Sequence, residues 1–382
     1  MFFYLSQALL KLTANTAAAE YFSPLRLFRY ITVRCAGAAL TSLLLSLWLG
    51  PAVIVWLKQL KFGQDYADKA ELAGSALDRL KKRGVPTMGG ILIVLALNLT
   101  TLLWARLEPM VILCLLSVAV LTGLGFYDDY AKIIQQNAGG VKSRVKLWVQ
   151  VALAVFIALY LWLDPSTTRL ITEISVPFYK YPILAWSGAG GGILLTVLTI
   201  VGSSNAVNLT DGLDGLAIGC TLIVASVLLV MSYLVENVKY AAYLQIPHVA
   251  GAGELAVFCS GLIGAGLGFL WYNCHPAQVF MGDTGSLSLG GALALVAVLI
   301  HQPFVLFIAG GVFVMEAGSV MLQVGWFRFT RRRYGAGRRL FLMAPLHHHF
   351  EKKGWYESQV VARFYILGFL FAVVALSTLK IR

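Results

Sequence analysis

Five aspartates, Asp128, Asp129, Asp211, Asp214 and Asp283, stand at the ends of strongly apolar segments in a chain with only 18 acidic residues against 30 lysines and arginines. Carboxylates held against hydrocarbon are costly, so five of them at one membrane surface are most simply explained by a shared site whose common partner is a metal ion. Adjacent Asp128 and Asp129 repel one another unless a cation or a hydrogen-bond network holds both ionised, and Lys132 lies one helical turn beyond Asp128. An Asp-Asp pair followed by lysine suits a diphosphate held through magnesium. The competing reading is a charged, solvated helix end.

Asn205 to Leu216 reads NAVNLTDGLDGL. Asp211 and Asp214 stand three apart and share a face on a helical turn, Gly212 and Gly215 let backbone approach a ligand, and Asn208 adds an amide. A helix beginning here directs free N-H groups toward an anion. The stretch WYNCHPAQVFMGDTGS at 271 to 286 joins aromatic rings able to stack on a base, the amide of Asn273, and a Gly282-Asp283-x-Gly-Ser286 turn that can present a carboxylate to a metal beside N-H donors. Trp271 and Tyr272 can equally be interfacial anchors; Phe280, beside Gly282 and Asp283, is harder to dismiss. Lys82 to Gly90, KRGVPTMGG, including Thr87, is either a phosphate or nucleotide clamp or an ordinary basic loop. His347, His348 and His349 cannot all face one metal from a regular helix, since successive side chains point about 100° apart. Donation to phosphate from one or two of them is the better reading. Glu316 and Gln323, seven apart on one helical face, are open between interhelical hydrogen bonding and a substrate cavity.

The elements that must position these groups are membrane helices. Hydrophobic residues make up 59% of the chain, charged residues 13%, and mean hydropathy is +0.77, too apolar for a soluble globule. Apolar runs near 31 to 50, 88 to 105, 110 to 127, 147 to 163, 190 to 207, 216 to 235, 255 to 272, 285 to 301, 304 to 325 and 361 to 379 predict about ten transmembrane helices, an all-α polytopic fold in a single domain over 1 to 382. Lys and Arg gather in the connections that carry the aspartates, which orients the site to the cytoplasm and both termini to the periplasm. Arg26, Arg29 and Arg34 dissent from that rule. Residues 1 to 20 are expected to form a short interfacial segment, and Glu254 to lie at the outer surface. Five scattered cysteines give no thiolate metal site or disulfide framework. The net charge of +12 has no nucleic-acid-binding motif beside it, so nucleic acid is not an expected partner.

PTMGG at 86 to 90, DDxxK at 128 to 132, NAVNLTDGLDGL at 205 to 216, PAQVFMGDTGS at 276 to 286 and APLHHH at 344 to 349, in this order, resemble the bacterial phospho-N-acetylmuramoyl-pentapeptide transferases of the polyprenyl-phosphate N-acetylhexosamine 1-phosphate transferase superfamily. The likeness covers nearly the whole chain. Val85 stands where members often have Thr, and the stretch between Phe62 and Lys82 is longer than usual.

The resemblance implies an enzyme of the bacterial inner membrane that makes lipid I for peptidoglycan from UDP-MurNAc-pentapeptide and undecaprenyl phosphate, with Mg2+ as cofactor and a homodimer as the expected assembly. It implies catalytic roles for Asp128, Asp129, Asp283, Asp211, His347 and His348. Asp283 is the expected metal ligand, with Asp211 second. Substrate contacts are expected from Lys82, Thr87, Lys132, Asn208, Asp214, Asn273, Phe280, Gly282, Ser286, Gln323 and His349, with Lys82, Asn273 and Phe280 at the uridine. The rivals are a sister transferase using UDP-N-acetylglucosamine and, from another class, a cation-coupled transporter, whose acids belong near mid-membrane on broken helices.

Overall fold

The computed structural model describes residues 1–14, 20–60, 84–134, 140–177, 179, 183–184 and 188–380. Apolar sequence without water must satisfy its backbone internally, and every expected apolar run is helical. The helices that build the bundle are α1 (Phe2–Thr13), α2 (Ile31–Gln59), α3 (Gly90–Trp104), α4 (Pro109–Ile134), α5 (Ser143–Leu163), α6 (Gly190–Thr210), α7 (Leu216–Glu236), α8 (Gly253–Asn273), α9 (Gly282–Leu299), α10 (Pro303–Ala309), α11 (Gly311–Tyr334), α12 (Leu346–Lys352) and α13 (Glu357–Ser377), with short helical turns at Arg169–Thr172 and Val238–Leu244 between them. Eight of these, α2, α4 to α9 and α13, are each long and apolar enough to cross a membrane. The chain is a polytopic, mostly helical membrane protein. Its β content among the described residues includes one short antiparallel pair, Glu173–Ile174 with Ile183–Leu184.

Two expected spans differ from simple straight crossings. At 15 residues, α3 is about 22 Å long, short of a hydrocarbon core of about 30 Å. The ninth expected span, 304 to 325, is broken: α10 and α11 meet at 81°. Gly310 and Gly311 lie at the break, and a Cβ on Gly311 would stand 2.6 Å from the Phe371 ring. Glycine at this junction lets α13 fit against the bend.

Helices α8 and α9 form the buried centre. Around them, α2 and α7 pack on α8, and α4 and α6 pack on α9. Small residues permit the approach, as bare Gly264 meets the Ala39 carbonyl of α2, and Gly290 the Ser203 carbonyl of α6.

At the end of the bundle away from the aspartates, buried Arg34 on α2 grips buried Glu254 on α8 through two parallel bonds, Nη1 to Oε2 at 2.5 Å and Nη2 to Oε1 at 2.6 Å. The Arg106 backbone N-H also donates to Glu254. Glu254 is therefore at the expected end of its helix but buried, not at the surface. Arg34 stops being a dissenting charge, because its guanidinium is neutralised in place. Breaking such a pair strands a buried ion, so Glu254→Leu is expected to destabilise the protein by about 3–5 kcal/mol. Removing both charges in Arg34→Met with Glu254→Leu should restore much of that loss, as read by thermal unfolding in detergent.

Candidate active site

The site is built where α4 crosses the start of α9. Gly125 makes that crossing possible, since a Cβ there would lie 2.2 Å from the Asp283 carbonyl oxygen. One turn later on α4, Asp129 turns into the N-terminus of α9. Its carboxylate accepts from the backbone N-H of Asp283 at 3.2 Å, the N-H of Thr284 at 3.0 Å and the Thr284 hydroxyl at 2.8 Å. No residue of α9's own N-cap makes a side-chain bond, so an aspartate from another helix supplies the cap. Gly282 completes the fit: its φ is +72°, and a Cβ would fall 2.6 Å from Asp129 Oδ2.

Asp128 is wholly buried beside this cap and accepts from the Val141 N-H at 2.8 Å. Two ammonium groups answer the carboxylates. Lys132 Nζ lies 2.6 Å from Asp128 Oδ2, 3.1 Å from Asp283 Oδ2 and 3.6 Å from Asp129 Oδ1, while Lys146 Nζ lies 2.7 Å from Asp128 Oδ2 and 2.8 Å from Asp283 Oδ2. Asp128, Asp129 and Asp283 each offer an oxygen within 4.8 Å of the others. Three hard oxygen donors without nitrogen or sulfur suit Mg2+ rather than zinc. A polar recess of about 340 Å³, lined by Ser143, Lys146, Leu147, Gln150, Asn205 and Asn208, adjoins the cluster between α5 and α6.

The turn between α6 and α7 carries Asp211 and Asp214 to the same end. Asp211 is outside the close trio, but its carboxyl accepts from the Gly282 N-H. Desolvation, and then the negative fields of Asp283, Asp129 and Asp214, push that carboxyl up to about 8. Asp214 is buried and turned to the 273–280 loop, accepting from the Ala277 N-H at 3.2 Å and lying 3.0 Å from His275 Nδ1. Glu357, at the start of α13, accepts from the Asp214 N-H at 2.8 Å and lies 3.5 Å from His275. The Asn273 amide ties the same parts together, accepting from the Gly215 N-H and donating to the Val279 carbonyl. Phe280 bonds through its backbone to Pro86 and Gly89, which seats PTMGG and buried Thr87 under the loop. Ser286 donates to the Gly282 carbonyl inside α9.

The histidines have separate surroundings. His347 is buried against Glu316, with Nδ1 3.0 Å from Oε2. His348 Nδ1 lies 2.7 Å from Glu351 Oε2, and His349 Nδ1 accepts from the Leu342 N-H. The Gln323 amide is engaged by backbone, accepting from Leu340 and Phe341 N-H. Glu316 and Gln323 thus share a task, fastening the chain after α11 back onto it. Lys82 lies outside the described residues. Lys146, His275, Glu357 and Thr284 are not singled out by sequence reasoning. Lys146 reads there as one more basic loop residue, and nothing in its spacing separates it from Lys142 or Arg144.

The model for Glycosyl transferase family 4 matches residues 111–301, and Phospho-N-acetylmuramoyl-pentapeptide-transferase signature 1 matches residues 82–94. The chain is 50% identical over 364 residues to the phospho-N-acetylmuramoyl-pentapeptide-transferase of Opitutus terrae, covering 95% of this chain and 98% of that protein. It is 50% identical over 364 residues to the one of Desulfotalea psychrophila (94% and 97% covered) and 49% over 366 residues to the one of Methylacidiphilum infernorum (95% and 97%).

The crossing at Gly125 can be tested without reference to turnover. Gly125→Ala overpacks α4 against the Asp283 carbonyl and is expected to cost about 1–3 kcal/mol. Gly123→Ala, with nothing within 4 Å of its Cβ, should melt within about 0.5 kcal/mol of the parent in the same detergent.

Proposed function

The chain belongs to the phospho-N-acetylmuramoyl-pentapeptide-transferase family, and on that premise we propose that it transfers phospho-MurNAc-pentapeptide from UDP-MurNAc-pentapeptide to undecaprenyl phosphate, giving lipid I and UMP. The observation that carries this reading is the cluster of Asp128, Asp129, Asp283, Lys132 and Lys146 at the N-terminus of α9. It offers metal-binding carboxylates, cations for phosphate and a helix end in one place. In the reaction, an oxygen of the lipid phosphate attacks the phosphorus that bears the sugar. The bond from that phosphorus to the UMP oxygen breaks, and UMP leaves.

Mg2+ is the cofactor of this reading, held by Asp283 with Asp211 as the second candidate ligand. When bound, it supplies charge to offset the anions of the breaking diphosphate. The acceptor phosphate, with a second pKa near 6, is already largely dianionic at neutral pH. No strong base is required. Asp129 is committed to the helix cap and Asp128 to two lysines and an amide, which favours direct attack by the lipid over an aspartyl-phosphate. Their roles are to hold Asp283 and the lysines in register.

The uridine is assigned to the side of the site formed by Phe280, the Asn273-pinned loop and the 211–215 turn, with Asp214 at the nucleoside, and Lys82 is assigned to it by family resemblance alone. Asn273 shapes this wall through backbone bonds. His347 and His348 face phosphate or sugar and Lys132, Asn208 and Gly282 the diphosphate, while buried Thr87 and Ser286 and the backbone-bonded Gln323 and His349 shape the site from behind. The polar recess between α5 and α6 is where the lipid phosphate enters, because it joins Lys146 to two membrane-spanning helices. Basic residues around this end, including Lys142, Arg144, Arg331 to Arg333, Lys352 and Lys353, favour a cytoplasmic site and periplasmic termini in the inner membrane. A single transmembrane domain acting as a homodimer completes the reading, the dimer on family grounds.

Purified protein given undecaprenyl phosphate, Mg2+ and UDP-MurNAc-pentapeptide should release UMP and form lipid I, while UDP-N-acetylglucosamine should not serve. Product from the latter alone would move the chain to the sister transferases. Asp283→Asn should abolish turnover in folded protein; near-normal rates would remove it as the principal metal ligand. Because Asp211 takes up a proton below about 8, a cation must displace that proton near neutrality. Mg2+ affinity measured calorimetrically should therefore rise from about pH 6.5 to about pH 8, and Asp211→Asn should flatten the rise. A wild-type affinity that stays level across this window would contradict the assignment.

A further inference from the structure

Glu316 spends both carboxylate oxygens on one histidine. Oε1 accepts from the His347 backbone N-H at 3.1 Å, and Oε2 accepts from Nδ1 at 3.0 Å. Both side chains are buried, at 0% exposure for Glu316 and 1% for His347. With Nδ1 taken, the ring has one polar atom left. Nε2 is buried and has no hydrogen-bond partner in the protein. It stands over Gly212, 2.2 Å from where a Cβ would be, in the turn that joins Asp211 to Asp214. The His348 ring closes one side, its centroid 4.1 Å away. An unsatisfied buried nitrogen costs about 1–3 kcal/mol, so one facing the turn that carries Asp211 and Asp214 points to a group that arrives there.

We propose that Glu316 is a positioning residue: it fixes the His347 ring with Nδ1-H on the carboxylate and Nε2 presented to a phosphate oxygen of the substrate. The inference rests on the diphosphate reading given above. A phosphate oxygen at this pH only accepts, so the ring that meets it must carry hydrogen at Nε2 as well as at Nδ1. Such a ring is a cation, and the Glu316 carboxylate is its countercharge in a place where water cannot serve. Glutamine cannot do the same. Its one oxygen can accept from the backbone N-H or from Nδ1-H, and its NH2, turned to Nδ1, forces that nitrogen to accept and leaves the ring neutral. The logic is that of a carboxylate that orients a functional imidazole and stabilises its cation.

The test is a double-mutant cycle on the detergent-purified protein, with UDP-MurNAc-pentapeptide, undecaprenyl phosphate and Mg2+. Glu316→Gln is expected to lower kcat by about 10–100-fold, the range found when a partner orienting a functional histidine is removed, with KM for the nucleotide within about threefold. In a His347→Gln background the same change should cost less than about twofold, because its effect runs through the ring. Equal losses in both backgrounds, or full activity of Glu316→Gln, would overturn the proposal. If Glu316→Gln does not elute as folded protein, the cycle is run with Glu316→Asp, which keeps the charge and shortens its reach, and the same coupling is expected. Wild-type protein is the control that separates the two claims. An inactive wild type counts against the substrate reading, whereas an active wild type with independent losses counts against Glu316 alone.

Discussion

The site depends on a helix N-terminus that is capped from another helix. α9 begins on the Asp129 carboxylate of α4, which satisfies the N-H groups of Asp283 and Thr284 and the Thr284 hydroxyl together. The contact needs Gly125 bare so that the helices can meet, and Gly282 bare so that the carboxylate fits. Once it is made, Asp283 has little freedom: it sits at the second residue of α9, fixed between the cap and two lysines. A carboxylate placed this way is ordered before any ligand arrives, so binding does not have to order it.

The same constraint explains the charges around it. Asp128, Asp129 and Asp283 would repel one another in so small a volume, and Lys132 and Lys146 stand between them as countercharges. At the far end of the bundle, Arg34 and Glu254 solve an equivalent problem with a closed bidentate pair. The difference is instructive. The far pair neutralises its own charge, whereas the near cluster has more carboxylates than ammonium groups and adjoins a polar recess. A buried ion pair that closes on itself is structural; one left with excess charge and access is suited to bind.

Connections far apart in the chain are fastened to this centre by side chains given over to backbone. Asn273 joins the 211–215 turn to the loop before α9, Glu357 reaches the Asp214 N-H from the start of α13, and Gln323 and Glu316 draw the histidine segment back to α11. Several polar residues that a sequence reading assigns to substrate are used in this way. Their polarity is required by loops that carry unsatisfied N-H groups near an apolar bundle, where each unmet bond is expensive.

The sequence by itself determined the class of fold, the ten helical segments and the grouping of Asp128, Asp129, Asp211, Asp214 and Asp283 at one end. Those follow from local apolarity, from segment length set against bilayer thickness, and from counting crossings, none of which needs a long-range contact. It also carried the family resemblance in five ordered motifs. Tertiary structure alone decided how the five aspartates differ: Asp129 a cap, Asp128 a buried anchor for lysines, Asp283 the least buried member of the close trio, Asp211 outside the trio on the Gly282 N-H, and Asp214 held to His275 and Glu357. It alone brought in Lys146, broke the ninth span at Gly310, buried Arg34 with Glu254, and set His347 on Glu316. The reason is that charge and hydrogen-bond capacity belong to a residue type, whereas the partner that uses them is chosen by segments meeting across 31 residues of chain, as Glu316 and His347, up to 220, as Arg34 and Glu254.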